Sequence, residues 1–216
     1  MLLSSEEVLD ELNLNRYNTS EEGYRRLIPA VSVCKKAIQV NCYFIKDSYK
    51  ILSSALQSAN TPLKELNLSN SDLQDSGVEL LSDGLRSSYC KLETLRLAGC
   101  NLTINSCEKL ALALQSGNSS LKELVLSNND LQDSGVEVLS AGLKSSHCKL
   151  ETLRLTICNL GDEACRSVES ALQLEHSSLK ELDLSNNDLQ DSGVELLSVG
   201  LNSSHCKLEI LRMMPG

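Results

Sequence analysis

The sequence predicts an α/β solenoid, an arc with parallel strands on its concave face and helices on its convex face. The first observation behind this is a skeleton, Leu-x-x-Leu-x-Leu-x-x-(Asn/Cys/Ser)-x-Leu. It restarts at Leu63, Leu92, Leu121, Leu150, Leu179 and Leu208, each 29 residues after the last. Such a period combines one strand and one helix, and neither buries its apolar face until neighbouring copies stack on it. The second observation is composition: 41% of residues are hydrophobic, yet there is no Trp and only one Phe, so leucine does the burying. The third is the helical spacing of Val78, Leu81 and Leu85 after the strand pattern of Leu63, Leu66 and Leu68.

In chain order, Leu9-x-x-Leu12-x-Leu14 predicts a first strand. Thr19-Ser20-Glu21-Glu22 has capping-box form and predicts a helix through about Val31, with Pro29 ending or kinking it. Residues 1–33 carry six acidic side chains (Glu6, Glu7, Asp10, Glu11, Glu21 and Glu22) and fit the polar terminal repeat a solenoid needs. Residues 34–207 divide into six 29-residue repeats. The first is degenerate: Cys34, Ala37 and Gln39 stand at leucine positions, and Cys42 and Phe44 recover the register. Its Tyr49–Ser58 segment matches Cys107–Ser116. Residues 208–216 begin a last repeat, truncated after its strand and without a C-terminal cap, which leaves its leucines partly exposed.

The repeats alternate. Type A starts at Leu63, Leu121 and Leu179, and type B at Cys34, Leu92, Leu150 and Leu208, so the true unit is two rungs of 29 residues. Ser76-Gly-Val-Glu79, Ser134-Gly-Val-Glu137 and Ser192-Gly-Val-Glu195 have the form of capping boxes that open the type A helices. Asp75, Asp133 and Asp191 sit in the turn before them, where capping is the expected role. Gly84, Gly142 and Gly200 fall late in the helices and predict close packing between rungs.

Composition also narrows function. No run of about 18 apolar residues suggests a membrane span, and the start MLLSSEEVLDEL lacks the basic and apolar segments of a signal peptide. Nine cysteines, an odd number, fit a reducing compartment, and the expected location is the cytoplasm. Asn-x-Ser/Thr sequences such as those beginning at Asn18, Asn101, Asn118 and Asn202 are then chance matches to the glycosylation pattern. A net charge of −9 argues against a nucleic-acid partner and fits solubility or a basic protein partner.

No catalytic or cofactor signature emerges; GxSxG, HExxH and phosphate-loop motifs are missing from the chain, and no cofactor is expected. The pairs Cys100/Cys107 and Cys158/Cys165, with His147-Cys148 and His205-Cys206, invite a metal reading. Their recurrence at fixed repeat positions, with Tyr89 in place of the first His, fits structure better. Position nine of the skeleton is a buried turn site where Asn129 and Asn187 bond backbone groups and cysteine fills space. His147, His176 and His205 fall in helix-to-strand loops with no nucleophile partnered to them.

The concave face carries the candidate site. Equivalent positions in successive rungs of a parallel sheet lie about 4.8 Å apart. Position two then forms a ladder of alternating charge, Lys64, Glu93, Lys122, Glu151, Lys180 and Glu209. Such neighbouring pairs contribute roughly 0.2–1 kcal/mol each and fix register. Lys35 and Lys36 break the alternation at the N-terminal end. Position five reads Asn67, Arg96, Val125, Arg154, Asp183 and Arg212. The type A copies agree almost everywhere, yet here they take Asn67, Val125 and Asp183. That variety fits a ligand-facing surface, and unconstrained drift would look the same. Asn67, Arg96, Val125, Arg154 and Asp183 are therefore the candidate protein-binding residues, with position five facing solvent, so that Val125→Arg leaves stability nearly unchanged.

These alternating LKELxLSNNDLQDSGVxxLSxGL and LETLRLxxCNL units resemble the ribonuclease-inhibitor-type leucine-rich repeats at the C-terminal end of NACHT-domain receptors, the NLR proteins. They are most similar to the expanded fish members related to the NLRP and CARD-containing groups. VLDELNLNRYNTSEEGYRRLIPAV resembles the segment leading into those repeats. The resemblance implies a ribonuclease-inhibitor-like horseshoe arc and a non-catalytic, cytoplasmic interaction module of innate immunity. Such a module senses ligands or holds a receptor inactive against its NACHT module. No NACHT phosphate loop is present, so ATP switching is not carried over. Two alternatives are a stoichiometric inhibitor of a basic enzyme, like ribonuclease inhibitor, and a truncated receptor fragment without independent function.

Overall fold

The computed structural model describes residues 8–16, 21–38 and 46–214. One parallel sheet runs in sequence order, β1 to β8, with an α-helix in each of the seven connections. Its strands are β1 (Leu9–Asn13), β2 (Cys34–Ile38), β3 (Glu65–Asn67), β4 (Thr94–Arg96), β5 (Glu123–Val125), β6 (Thr152–Arg154), β7 (Glu181–Asp183) and β8 (Ile210–Arg212). The helices are α1 (Glu21–Leu27), α2 (Lys46–Leu56), α3 (Gln74–Arg86), α4 (Ile104–Gln115), α5 (Gln132–Leu143), α6 (Asp162–Leu172) and α7 (Asp191–Leu201). The register steps one repeat per strand: Leu66 pairs with Leu95, Leu95 with Leu124, and Leu124 with Leu153.

The core lies between sheet and helices and is built from the skeleton leucines. Leu66, Leu68, Leu95, Leu97, Leu124, Leu126, Leu153, Leu155, Leu182 and Leu184 are fully buried. In the degenerate repeat Cys34 and Ala37 are buried at the sites equivalent to Leu63 and Leu66. Gln39, Cys42 and Phe44 lie outside the described residues, as do Thr19 and Ser20 of the first capping box. The helix expected through Val31 is α only to Leu27. It continues as a 3-10 segment, Ile28–Val33, because Pro29 has no amide to donate and suits a first helical turn.

The expected capping boxes are not formed. α3 and α5 begin at Gln74 and Gln132, so Ser76 and Ser134 already lie inside the helix, and the N-cap residues of α3, α5 and α7 make no capping hydrogen bond with their own side chains. The two glutamines take left-handed backbone (φ 55° and 56°), and their amides donate to Cys100 and Cys158 carbonyls of the next rung at 2.9 and 3.1 Å. Capping runs between rungs instead. Asp75 accepts from the Thr103 amide (2.9 Å) and hydroxyl (2.6 Å) at the start of α4, and also from the Ser106 hydroxyl. Asp133 accepts from the Gly161 amide at 2.7 Å before α6. Asp162 accepts from the Gln190 amide at 2.9 Å before α7 and from the Ser192 hydroxyl.

Asparagine at position nine also joins rungs. Asn129 accepts from the amides of Cys100 and Leu102 at 3.0 Å each and donates to the Leu97 and Leu126 carbonyls at 2.9 and 2.7 Å. Asn187 repeats this one unit later. Cys100 and Cys158 occupy the same position in type B rungs, where each thiol meets a carbonyl of the preceding rung, Leu68 at 3.1 Å and Leu126 at 3.3 Å. Packing between helices depends on the late glycines. A Cβ on Gly84 would stand 2.9 Å from the Ser53 carbonyl oxygen, and one on Gly142 2.9 Å from Ala111 Cα.

Candidate functional site on the open strand face

Side chains alternate along each short strand, so positions three and five share the face turned away from the helices, while position four enters the core. The register places the five candidates in one row: Asn67 beside Arg96, Arg96 beside Val125, Val125 beside Arg154, and Arg154 beside Asp183. Their chemistry differs from the sequence expectation in two ways.

First, they are tied into a network with position three, whose glutamates had not been singled out. Arg96 Nη2 donates to both carboxylate oxygens of Glu123, at 3.0 and 3.1 Å, and Arg96 Nη1 lies 3.8 Å from Glu65. Arg154 Nη2 donates to Glu181 at 3.1 Å, and Arg212 pairs with the same carboxylate. Each of the bonds to Glu123 and Glu181 from Arg96 and Arg154 runs diagonally, from position five to position three of the next rung. Second, Asn67 and Asp183 share one local role. Each accepts from the amide two residues on, Ser69 and Ser185, at 3.0 Å. Two of the three chemistries at this position in type A are thus one.

Val125 does not face open solvent. It retains 9% exposure between the register neighbours Arg96 and Arg154. A small apolar floor therefore lies between two guanidinium groups held by carboxylates.

The position-two ladder is formed at three pairs: Lys64–Glu93 at 2.9 Å, Glu93–Lys122 at 2.8 Å and Glu151–Lys180 at 2.8 Å. Hydrogen bonds from Lys122 and Lys64 hold the Glu93 carboxyl below its ordinary range, and Glu93 raises Lys122 in return. The lysines that break the alternation have partners too. Lys35 pairs with Asp10 at 2.8 Å, and Lys36 stands 3.8 Å from Glu11 and 3.5 Å from Glu65.

Among the described residues seven cysteines are buried in the core and Cys206 is half-buried against it. Burial pushes the thiols of Cys34, Cys100 and Cys165 up to about 11, and those of Cys107 and Cys158 up to about 12. At neutral pH such thiols carry negligible thiolate, the form that attacks or ligates. Among the described residues no group of three or more His, Cys, Asp or Glu side chains is arranged to hold a metal ion. His147, His176 and His205 lie in the helix-to-strand loops, as expected, and no described helix is long and apolar enough to cross a membrane.

Comparison with known proteins agrees with this geometry. The family described as Leucine Rich repeat matches residues 59–82, 117–140, 146–168 and 175–198. No curated protein matches the chain. A solved structure similar in fold is the crystal structure of a TLR13–ssRNA13 complex, with a TM-score of 0.50 and 16% identity. The alignment covers 95% of this chain and 25% of that one, so this chain spans about a quarter of its neighbour's length. The matched repeats indicate a protein-interaction module, and the chain folds as an α/β leucine-rich-repeat solenoid.

Proposed function

We propose that this chain is the recognition module of a cytoplasmic innate-immune receptor of the NLR type. It engages a protein through the open strand face, either a ligand or the receptor's own NACHT module in an inactive state. The observation that supports this most is the central strip of β4 to β6. There Arg96 and Arg154, held by Glu123 and Glu181, flank the apolar Val125. Arginine beside a small apolar floor is the composition of protein-binding hot spots, and side chains already held in place lose less entropy when a partner arrives.

Charge on the face supports a protein rather than a nucleic-acid chain. From β3 to β7 each glutamate of positions two and three stands beside a lysine or arginine, and no unbroken basic stripe is offered to a phosphate backbone. The same balance favours recognition over inhibition of a basic enzyme, which calls for a predominantly acidic face. The test is titration of the chain with three probes: a purified NACHT module, a pancreatic-type ribonuclease and single-stranded RNA. Saturable binding of the module alone is expected. Salt-sensitive ribonuclease inhibition would replace this reading with the inhibitor, and RNA binding would overturn the choice of a protein partner.

A further inference from the structure

A cleft of about 760 Å³ opens on the helix-to-strand side of the array, where α2, α3 and α4 end. Its lining includes Asp83, Arg86, Tyr89, Leu112, Gln115 and Asn118, none of which belongs to a strand. The cleft is therefore separate from the strand face, and its volume is that of a ligand-binding site.

Three features set this place apart from its copies in other rungs. Tyr89 and Leu112 are 52% and 46% exposed. Their equivalents are His147 and His205 in type A rungs, and Ser54 and Ser170 in type B rungs, so two large apolar side chains meet water only here. Next, Arg86 is a free cation. From α3 onward Arg96, Arg154, Arg166 and Arg212 all stand in ion pairs, whereas Arg86 forms none among the described residues. Finally, one unit later the His176 ring Nε2 bonds the Lys144 carbonyl at 2.9 Å and ties two loops together. Asn118, at the position of His176, makes no such bond to Arg86, and the space stays open.

We propose that this cleft binds an acidic peptide segment of a partner protein. An apolar side chain of the peptide seats against Tyr89 and Leu112, and a carboxylate pairs with Arg86. Tyrosine and arginine are the residue types that dominate binding energy at interfaces. The side-chain amides of Gln115 and Asn118 each donate and accept, which matches the N–H and C=O groups of a peptide backbone. Charge selects the same class. Lys91, two residues after Tyr89, is exposed and forms no ion pair among the described residues, so it adds to the field of Arg86. Two cations beside the carboxylate of Asp83 are too few to hold a phosphate chain, while Asp83 can accept from a peptide N–H.

Fluorescence anisotropy of labelled probes with the 216-residue chain tests this. The first probe is a peptide pool with glutamate at alternate positions and mixed apolar residues between them. A second pool carries lysine in place of glutamate, and single-stranded RNA is the third probe. The expected result is saturable binding of the acidic pool alone, weakened at least tenfold by Arg86→Glu and by Leu112→Ser. Lys144→Asn, at the position of Arg86 one unit later, is expected to leave binding unchanged. Serine and asparagine stand at these positions in other copies, as Ser170 and Asn202, so both substitutions keep the fold, which far-UV circular dichroism verifies. No saturable binding of the acidic pool up to about 1 mM overturns the proposal. So does binding indifferent to Arg86→Glu and Leu112→Ser, or weakened as much by Lys144→Asn. Binding of the lysine pool or of RNA in its place overturns the choice of ligand.

Discussion

Arg96 reaches across the sheet from β4 to Glu123 on β5 and donates to both carboxylate oxygens at 3.0 and 3.1 Å. The pair is one-third exposed or less on both sides, at 32% and 23%. Its contribution to stability is small, because exposed and half-exposed ion pairs are screened and entropically costly. A double-mutant cycle of Arg96→Ala and Glu123→Ala, read by urea unfolding, is expected to give a coupling of about 0.2–1 kcal/mol that shrinks with salt. A coupling of about 3 kcal/mol would make the pair a folding element and remove it from the binding face.

Val125→Arg is expected to destabilise by about 1–2 kcal/mol. It replaces a nearly buried valine and aligns three arginines at positions 96, 125 and 154 of adjacent strands. Sequence reasoning took this position to face solvent. The strand alternation is right, but the valine is nearly buried between its neighbouring strands, which residue spacing alone does not reveal. An unchanged thermal midpoint would restore the simpler view.

Gly142→Ala improves helix propensity by about 1 kcal/mol yet is expected to lower stability by about 1–3 kcal/mol. The added Cβ would sit 2.9 Å from Ala111 Cα and 3.0 Å from its carbonyl oxygen, backbone atoms that cannot move without separating α5 from α4. Equilibrium unfolding of the variant measures this. Leu126→Ala, on a fully buried residue beneath β5, should remove about 2–5 kcal/mol by opening a cavity.

Ile157 holds left-handed backbone at φ 55°, where Asn70, Gly99, Asn128 and Asn186 stand in the other rungs at φ between 56° and 62°. A β-branched residue is strained there, and its side chain is 49% exposed, so little burial offsets the strain. Ile157→Gly is expected to raise stability by about 0.5–1 kcal/mol. A loss of stability in the same unfolding assay would mean that the side chain makes a contact outweighing the strain.

Acid should destabilise the array through carboxylates that their partners hold low, Glu93 and Asp75 among them. Glu93 is held down by hydrogen bonds from Lys122 and Lys64. Burial pushes Asp75 up, but donors from Ser106, Thr103 and Asn105 together outweigh it and hold it low. A depressed carboxylate means that the unfolded chain binds more protons in that range, so stability rises with pH there. The contribution is complete above the ordinary values of 4.5 and 3.8 and is lost as pH falls through them towards the lower folded values. Urea midpoints should hold from about pH 7 to 5 and fall below that. Asp75→Asn should flatten the fall. An unchanged acid limb in that variant would place the titration elsewhere.

The fold was legible because the leucine spacing encodes both elements of every rung, and Asn129 already named the turn that joins rungs. The site was half legible. Comparing the same position in successive rungs found the Lys64–Glu93–Lys122 ladder, whose partners are direct neighbours. It missed Glu123 and Glu181, since arginine is long enough to bond diagonally into the next rung. The capping boxes misled for a related reason. Ser76 and Glu79 have the right spacing for a local cap, but Gln74 is drawn into the helix by the Cys100 carbonyl, and Asp75 turns to serve α4. Contacts between rungs, set by stacking, override motifs read within one rung.

The most direct measurement of recognition through the strand face is calorimetric titration of a purified NACHT module into three forms of the chain: wild type, Arg154→Glu and Glu108→Lys. Arg154 lies on the strand face, and Glu108 is exposed on α4 on the opposite side. The expected result is saturable binding by wild type and Glu108→Lys, with Arg154→Glu weaker by at least tenfold, about 1.4 kcal/mol. Equal binding by wild type and Arg154→Glu, with loss in Glu108→Lys, or no binding by the wild type, would contradict it.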